Sequence, residues 1–139
     1  MYTKLYTPFF YTYMSVRYFT LAEANALLPT IEPLMAELLE RRAKAVRLSK
    51  EITDLLQDTH VDFGGSLPSQ LAQEFAIIEQ RHREIKSYGC IVKNIDAGLV
   101  DFLSQIKGRD VYLCWRYGEE QVQYYHELHT GFRGRKAIE

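Results

Sequence analysis

This chain is short of cysteine, proline and tryptophan, and it contains no long apolar run. Its two cysteines are too few for a disulfide framework, so we expect a cytoplasmic protein in a reducing compartment. No stretch of 18 apolar residues occurs, which argues against a membrane-spanning role and against a membrane partner. Seventeen basic residues nearly balance 18 acidic ones, and the formal net charge of -1 makes nucleic acid an unlikely partner.

What is present suits one soluble globular domain: 139 residues, 47% hydrophobic and 25% charged. Residues 1–16 are rich in tyrosine and phenylalanine, and we expect a poorly ordered extension there, with Met14 as the true start. An aromatic anchor for a membrane or a partner is the alternative. Residues 17–139 are predicted to form a single domain. It comprises a helical hairpin (20–89), β-hairpins (90–129) and a Gly/Arg tail (130–139).

The first helix is predicted to begin at Thr20, which forms a capping box with Glu23, and to reach about Asp58. Pro29 and Pro33 each remove an amide donor, so a kink or a break is expected between Asn25 and Pro33. Apolar residues then recur at steps of three and four, a stripe that only Arg41 interrupts. The stripe consists of Leu27, Ile31, Leu34, Leu38, Arg41, Ala45, Leu48, Ile52 and Leu55.

A turn at residues 62–66 precedes a second predicted helix, which starts near Ser66 and stops at Gly89. Its stripe has the same spacing and consists of Leu71, Phe75, Ile78, His82 and Ile85. Two long helices joined by a short loop should lie antiparallel. The apolar stripe of the first helix is too wide for one partner helix, which favours a homodimer, for example a four-helix bundle.

After Gly89 the period falls to two, which predicts two β-hairpins. The first joins residues 91–95 to 99–102 with Gly98 in the left-handed conformation, and it places Lys93 opposite Asp101 as a structural ion pair. The second joins residues 110–117 to 120–128 through a two-residue turn at Gly118 and Glu119. The predicted fold class is therefore α+β: a long antiparallel helical hairpin packed against a small antiparallel sheet of two β-hairpins.

Residues suited to a metal lie in the second hairpin, where Cys114, His126 and His129 offer a thiolate and imidazoles for a divalent ion such as zinc. The register of a two-residue turn places Cys114 and His126 on opposite faces of the sheet, where they could not share an ion. A three-residue loop would bring both to one face, but it would mismatch the apolar positions. His126, Glu127 and His129 remain as weak candidate ligands, and the sequence requires no cofactor.

The segment Gly131-Phe-Arg-Gly-Arg135 is the better candidate for ligand contact. Glycines let successive amides converge, and guanidinium groups bind phosphate or carboxylate in bidentate fashion. Arg116, Arg133 and Arg135 are therefore predicted to bind a small anionic ligand. The alternative is an Arg-rich tail that pairs with acidic residues of the long helices.

Several blocks resemble a family of short bacterial proteins of unknown function. They are Tyr18–Pro29, Gly98–Phe102, Val111–Arg116 followed by Gly118 and Glu119, Tyr125–His126 and Gly131–Arg135. The resemblance covers about Arg17 to Ile138 and implies no activity. It implies that a common role resides in the C-terminal blocks, which contain Asp101, Arg116, His126, Arg133 and Arg135.

The leading functional hypothesis is a cytosolic binding or assembly module that dimerises through its helical hairpin and presents an arginine-containing surface. The alternative is a small enzyme or metal protein that uses His126, Glu127 or His129, with the arginines holding an anionic ligand. Hydrolase and zinc-peptidase motifs are absent from the sequence, so the enzyme hypothesis is the less favoured.

Overall fold

The structure is a computed structural model that describes residues 17–57 and 65–139, so the N-terminal extension and most of the predicted turn lie outside the described residues. Two helices precede five strands in this part of the chain. The helices are α1 (Leu21–Leu56) and α2 (Ser66–Ser87). The strands are β1 (Ile91–Asn94), β2 (Leu99–Ile106), β3 (Arg109–Arg116), β4 (Tyr124–Glu127) and β5 (Lys136–Ala137). The α+β prediction is confirmed.

The N-terminus of α1 is held by the predicted capping box. The Glu23 amide donates to the Thr20 hydroxyl at 3.1 Å, and the Thr20 amide donates to the Glu23 carboxylate at 3.0 Å. Of the predicted kink or break, the break is absent, because α1 runs through Pro29 and Pro33. Both prolines lie on the exposed side of the helix, where water can bind carbonyls that lose an intrahelical donor. Neither helix in the described ranges has the length and apolarity needed to cross a bilayer.

Ion pairs fix how α2 lies against α1. The buried Glu74 accepts from Lys44 Nζ at 2.8 Å and from Arg41 Nη1 at 3.3 Å, and Arg81 donates to Glu37 at 2.6 Å. Later residues of α1 meet earlier residues of α2, which is the predicted antiparallel arrangement. The predicted place of Phe75 in the α2 seam is wrong, because Glu74 takes the inward position and Phe75 is 55% exposed.

The five strands form one antiparallel meander in the order β1-β2-β3-β4-β5, rather than two separate hairpins. The hairpin between β2 and β3 was not predicted. It turns at Lys107 and Gly108, whose φ values are 54° and 76°. Two successive positive φ angles are the signature of a type I′ turn. The final residues also belong to the sheet, since β5 pairs with β4.

The predicted cross-strand pair of Lys93 and Asp101 is wrong. Asp101 lies opposite Ile91, and a bulge between Val92 and Asn94 shifts the register where Lys93 was expected to pair. Lys93 is exposed, whereas Asp101 is buried. A bulge adds an unpaired residue to one strand, and sequence alternation alone does not reveal it.

One face of the sheet packs against the helices. Buried residues from both layers form a common core, and those from the strands include Val100, Phe102, Leu113 and Trp115. Successive side chains of a strand point to opposite faces, so Asp101 and Cys114 point away from the helices. Both are nevertheless fully buried. This second face therefore contains polar groups enclosed without help from the helices.

Candidate metal centre

The register of three neighbouring strands places Asp101, Cys114 and His126 on one face. Asp101 on β2 lies directly opposite Cys114 on β3. Cys114 pairs with Tyr124, so His126, which pairs with Tyr112, lies diagonally across from the thiol on the same side. Cys114 and His126 were predicted to lie on opposite faces of the sheet. That prediction is wrong, because the observed pairing of β3 with β4 differs from the predicted register by one residue.

The connection from β3 to β4 causes this difference. A turn does form at Gly118, where the Glu119 amide donates to the Arg116 carbonyl at 3.0 Å. The chain then leaves the sheet, because the Val122 amide donates to Asn25 Oδ1 of α1 at 2.7 Å and the Val122 side chain is buried. Pairing resumes only at Tyr124. The connection contains an odd number of residues, which reverses the face of every later side chain.

The three side chains place a sulfur, a nitrogen and an oxygen atom within 4.8 Å of one another. Each residue is about 1% exposed. Zinc bound at its usual distances holds tetrahedral ligand atoms roughly 3.3–3.8 Å apart, so side-chain shifts of about 1 Å would close the cluster around an ion. The donor set of thiolate, imidazole and carboxylate suits zinc and neighbouring transition metals better than magnesium or calcium.

The hydrogen bonds of His126 fix its tautomer. Its Nδ1 lies 2.8 Å from the backbone carbonyl of Glu127, which can only accept, so Nδ1 carries the proton. Its Nε2 lies 3.0 Å from Asp101 Oδ2. Histidines that bind metals commonly donate their second nitrogen to a carbonyl in this way, which orients the ring and leaves the other nitrogen for the ion.

Burial governs the acidities of the other two groups. It raises the pKa of the Asp101 carboxyl, and His126 and the Cys114 thiol oppose that rise. It raises the pKa of the Cys114 thiol to about 12, and the negative charge of Asp101 adds to the effect. Among the described residues, Asp101 Oδ1 has no hydrogen-bond partner. A buried carboxylate oxygen without a donor is costly, and a cation would relieve that cost.

The same three residue types also occur in nucleophilic triads, but this geometry does not form one. A triad places the histidine between the thiol and the carboxylate, with one ring nitrogen facing each. Here the two nitrogens of His126 face Asp101 and the Glu127 carbonyl. The buried thiol also has a raised pKa, which disfavours the reactive thiolate. The three residues therefore do not form a cysteine triad.

Arg135 contacts the cluster at the main chain of Cys114. Its Nη2 donates to the Cys114 carbonyl at 3.2 Å and to Glu119 Oε1 at 2.6 Å. Its guanidinium lies 4.2 Å from the centre of the Tyr124 ring and 4.7 Å from that of Phe132. The C-terminal segment, which the sequence analysis treated as a tail, is thereby fastened to the site.

A family model for an uncharacterized conserved protein (DUF2203) matches residues 17–138. The chain belongs to this family. No curated protein matches it, and no solved structure matches it. The match includes every residue of the cluster and its surroundings, so the site lies in the part of the chain that defines the DUF2203 family.

The remaining predicted ligands of this DUF2203 protein do not join the cluster. Glu127 lies on the other face of β4, where its carboxylate pairs with Arg109 at 2.9 Å and with Lys136 at 3.8 Å. His129 is exposed in the turn after β4. Of the three ligands predicted in this segment, the structure brings only His126 into the cluster of described donors.

Two of the three predicted anion-binding arginines of this DUF2203 chain, Arg116 and Arg135, lie against the same Phe132 ring. Arg116 is exposed, and its guanidinium lies 5.8 Å from the centre of the Phe132 ring. Arg133 is also exposed, whereas the Arg135 side chain is only 13% exposed. Arg135 alone among them contacts a residue of the cluster.

Proposed function

We propose that this protein binds one divalent transition-metal ion, with zinc the best match, through Cys114, His126 and Asp101. The observation that carries the proposal is the convergence of three different donor atoms, from three adjacent strands, in a buried place where Asp101 Oδ1 lacks a partner among the described residues. Purely structural polar clusters normally satisfy their hydrogen bonds.

Supporting evidence comes from the surroundings of His126. The Glu127 carbonyl holds the ring in the tautomer that frees Nε2 for an ion. The Asp101 carboxyl lies 3.0 Å from that nitrogen. A metal ion would replace the proton between the Asp101 carboxyl and His126 Nε2. The site can therefore exist with and without the ion, and the sheet does not have to refold.

The test is a titration of metal-free protein with cobalt(II), which reports thiolate ligation through an intense near-ultraviolet charge-transfer band. We expect one equivalent to bind and to produce the band. Cys114→Ser should abolish the band, and His126→Gln should weaken binding by at least about tenfold. Cys90→Ser and His129→Gln are matched controls, since Cys90 is buried elsewhere and His129 is exposed. Binding that is indifferent to Cys114 and His126 would contradict the proposal.

A second proposal is that the helical hairpin self-associates as a dimer. It is supported by large apolar side chains that the helices leave exposed: Val46 and Leu56 are 58% and 57% exposed, and Phe75 is 55% exposed. Burying such residues against a second copy would remove apolar area from water. Light scattering on the eluting protein tests this: a dimer that Phe75→Ser or Leu56→Ser converts to monomer is expected, and a monomer at high concentration would contradict it.

A further inference from the structure

Arg135 contains the second buried polar atom that lacks a partner among the described residues. Its Nε, like Asp101 Oδ1, has no hydrogen bond there. Both groups adjoin Cys114: Asp101 lies opposite it across the strands, and Arg135 donates to its carbonyl at 3.2 Å. An unpaired acceptor and an unpaired cationic donor therefore belong to two residues that both adjoin Cys114.

The guanidinium is rigidly placed. Its Nη2 is engaged by Glu119 and by the Cys114 carbonyl, and the rings of Tyr124 and Phe132 lie against it. Nε of the same guanidinium is buried and has no partner among the described residues. A small acceptor beside the thiol would satisfy this donor.

The cluster supplies three protein donors, and the described residues offer no fourth histidine, cysteine or carboxylate within the same group. Structural zinc sites use four protein ligands, whereas three protein ligands leave a position for water or substrate. We propose that the fourth position of the metal is open to a small monoanion, to which Arg135 Nε donates. This inference rests on the proposed metal site.

Charge limits the ligand to a single negative charge. A divalent ion with the thiolate of Cys114 and the carboxylate of Asp101 is neutral, and Arg135 is already paired with Glu119 at 2.6 Å. A monoanion would leave an excess of one negative charge beside the Arg135 guanidinium, whereas a dianion would leave an excess of two, which costs more in a buried site. Because the three ligand residues are about 1% exposed, the anion must also be small. Hydroxide, azide and formate meet both conditions, whereas sulfate and larger phosphates do not.

The experiment uses the full chain loaded with cobalt(II), whose visible bands respond to a change in the fourth ligand. Azide and formate are expected to shift these bands with saturation, and sulfate at equal ionic strength to leave them unchanged. Arg135→Gln should weaken azide binding by about tenfold or more, since it removes a charged hydrogen-bond donor. Arg133→Gln, at a neighbouring exposed arginine, should change it less than about twofold.

The outcomes separate the two proposals. If no thiolate band forms, the metal site itself is refuted. If the band forms but neither azide nor formate shifts the visible spectrum, the site is closed and only the open fourth position is refuted. If anions bind equally well to wild type and Arg135→Gln, the role of Arg135 is refuted. Should Arg135→Gln fail to fold, Arg135→Lys, which keeps the charge but loses the Nε donor, replaces it with the same expected weakening.

Discussion

His126 Nε2 lies 3.0 Å from Asp101 Oδ2 and thereby joins β4 to β2 across the intervening strand. Both side chains are about 1% exposed, and they belong to residues 25 positions apart in the sequence. Since Nδ1 of His126 already carries a proton, the pair contains either a neutral carboxyl that donates to the ring or a carboxylate beside an imidazolium. Substitutions of Asp101 separate the structural role of this pair from its proposed role as metal ligands.

Asp101→Asn should preserve the metal-free fold while removing metal binding. The amide of asparagine can donate to Nε2, so we expect the free energy of unfolding to fall by no more than about 1 kcal/mol. Asp101→Ala leaves the buried Nε2 without a partner and should cost about 1–3 kcal/mol. Denaturation of the metal-free variants, with cobalt titrations alongside, measures both effects. Equal destabilisation by asparagine and alanine would show that the native pair requires the carboxylate charge.

Gly98→Ala should destabilise the protein more than Gly108→Ala. Both glycines have positive φ, 64° and 76°, but a Cβ at Gly98 would lie 2.8 Å from Cβ of Tyr117, whereas a Cβ at Gly108 would meet nothing within 4 Å. We expect about 1 kcal/mol for the strained backbone at either position and about 1–3 kcal/mol more at Gly98 for the overlap. Urea unfolding of the two variants checks this. Similar losses would indicate that Tyr117 moves aside freely.

Local patterns predicted the helices well because the forces that set them are local. The capping box of Thr20 and Glu23 acts within one turn, and the three-four spacing placed Ile31, Leu38 and Leu48 in the core. The burial of Glu74 in place of Phe75 could not be predicted from the spacing of apolar residues. It depends on Lys44 and Arg41, which approach from the other helix.

The cluster of Asp101, Cys114 and His126 could not be predicted from the sequence, because a long-range contact accompanies the odd-length connection between β3 and β4. The Val122 amide binds Asn25, 97 residues earlier, and holds the chain out of the sheet before β4. The predicted two-residue turn at Gly118 and Glu119 agreed with the local sequence pattern. It placed Cys114 and His126 on opposite faces of the sheet. The sequence does contain one indication of the observed register, because Tyr125 is an apolar alternative to His126 for the inward position. In the structure Val122 is buried in the core, and Tyr125 packs against the core in place of His126.

Glu74→Gln should destabilise the helical hairpin at neutral pH. The ammonium of Lys44 donates to the Glu74 carboxylate, and this hydrogen bond holds the pKa of Glu74 below its ordinary value of 4.5. A lowered pKa in the folded state means that the pair stabilises the protein above pH 4.5 and that this contribution is lost as the pH falls below it. Urea unfolding midpoints of wild type and variant should therefore differ at neutral pH and converge in acid.

Glu79→Gln is the matched control for Glu74→Gln, because Glu79 is exposed on the same helix and pairs with Arg83 at 2.6 Å. Exposed pairs within one helix contribute little, so this variant should unfold close to wild type at every pH. A difference between wild type and Glu74→Gln that persists unchanged in acid would show that the effect comes from packing of the glutamine and not from the lost charge.

Cys90 should make the stability of the protein fall with rising pH in the alkaline range. Burial raises the pKa of its thiol from 9.0 to about 12, and the thiol lies 3.3 Å from the Ile85 carbonyl, to which it donates. The unfolded chain loses this proton above pH 9 while the folded chain keeps it, so the stabilisation is full below pH 9 and is lost between 9 and 12. The expected slope is about 1.4 kcal/mol per pH unit for one thiol.

Comparison with Cys90→Ala isolates this slope, since the ionisation of Cys114, the tyrosines and the lysines is common to both proteins. The free energy of unfolding, measured in urea at several pH values above 8, should fall more steeply for wild type than for the variant. The alanine variant starts from a lower stability because it removes a buried sulfur, so the two curves should approach each other as the pH rises. Parallel curves would mean that the Cys90 thiol ionises as readily in the folded protein as in the unfolded chain.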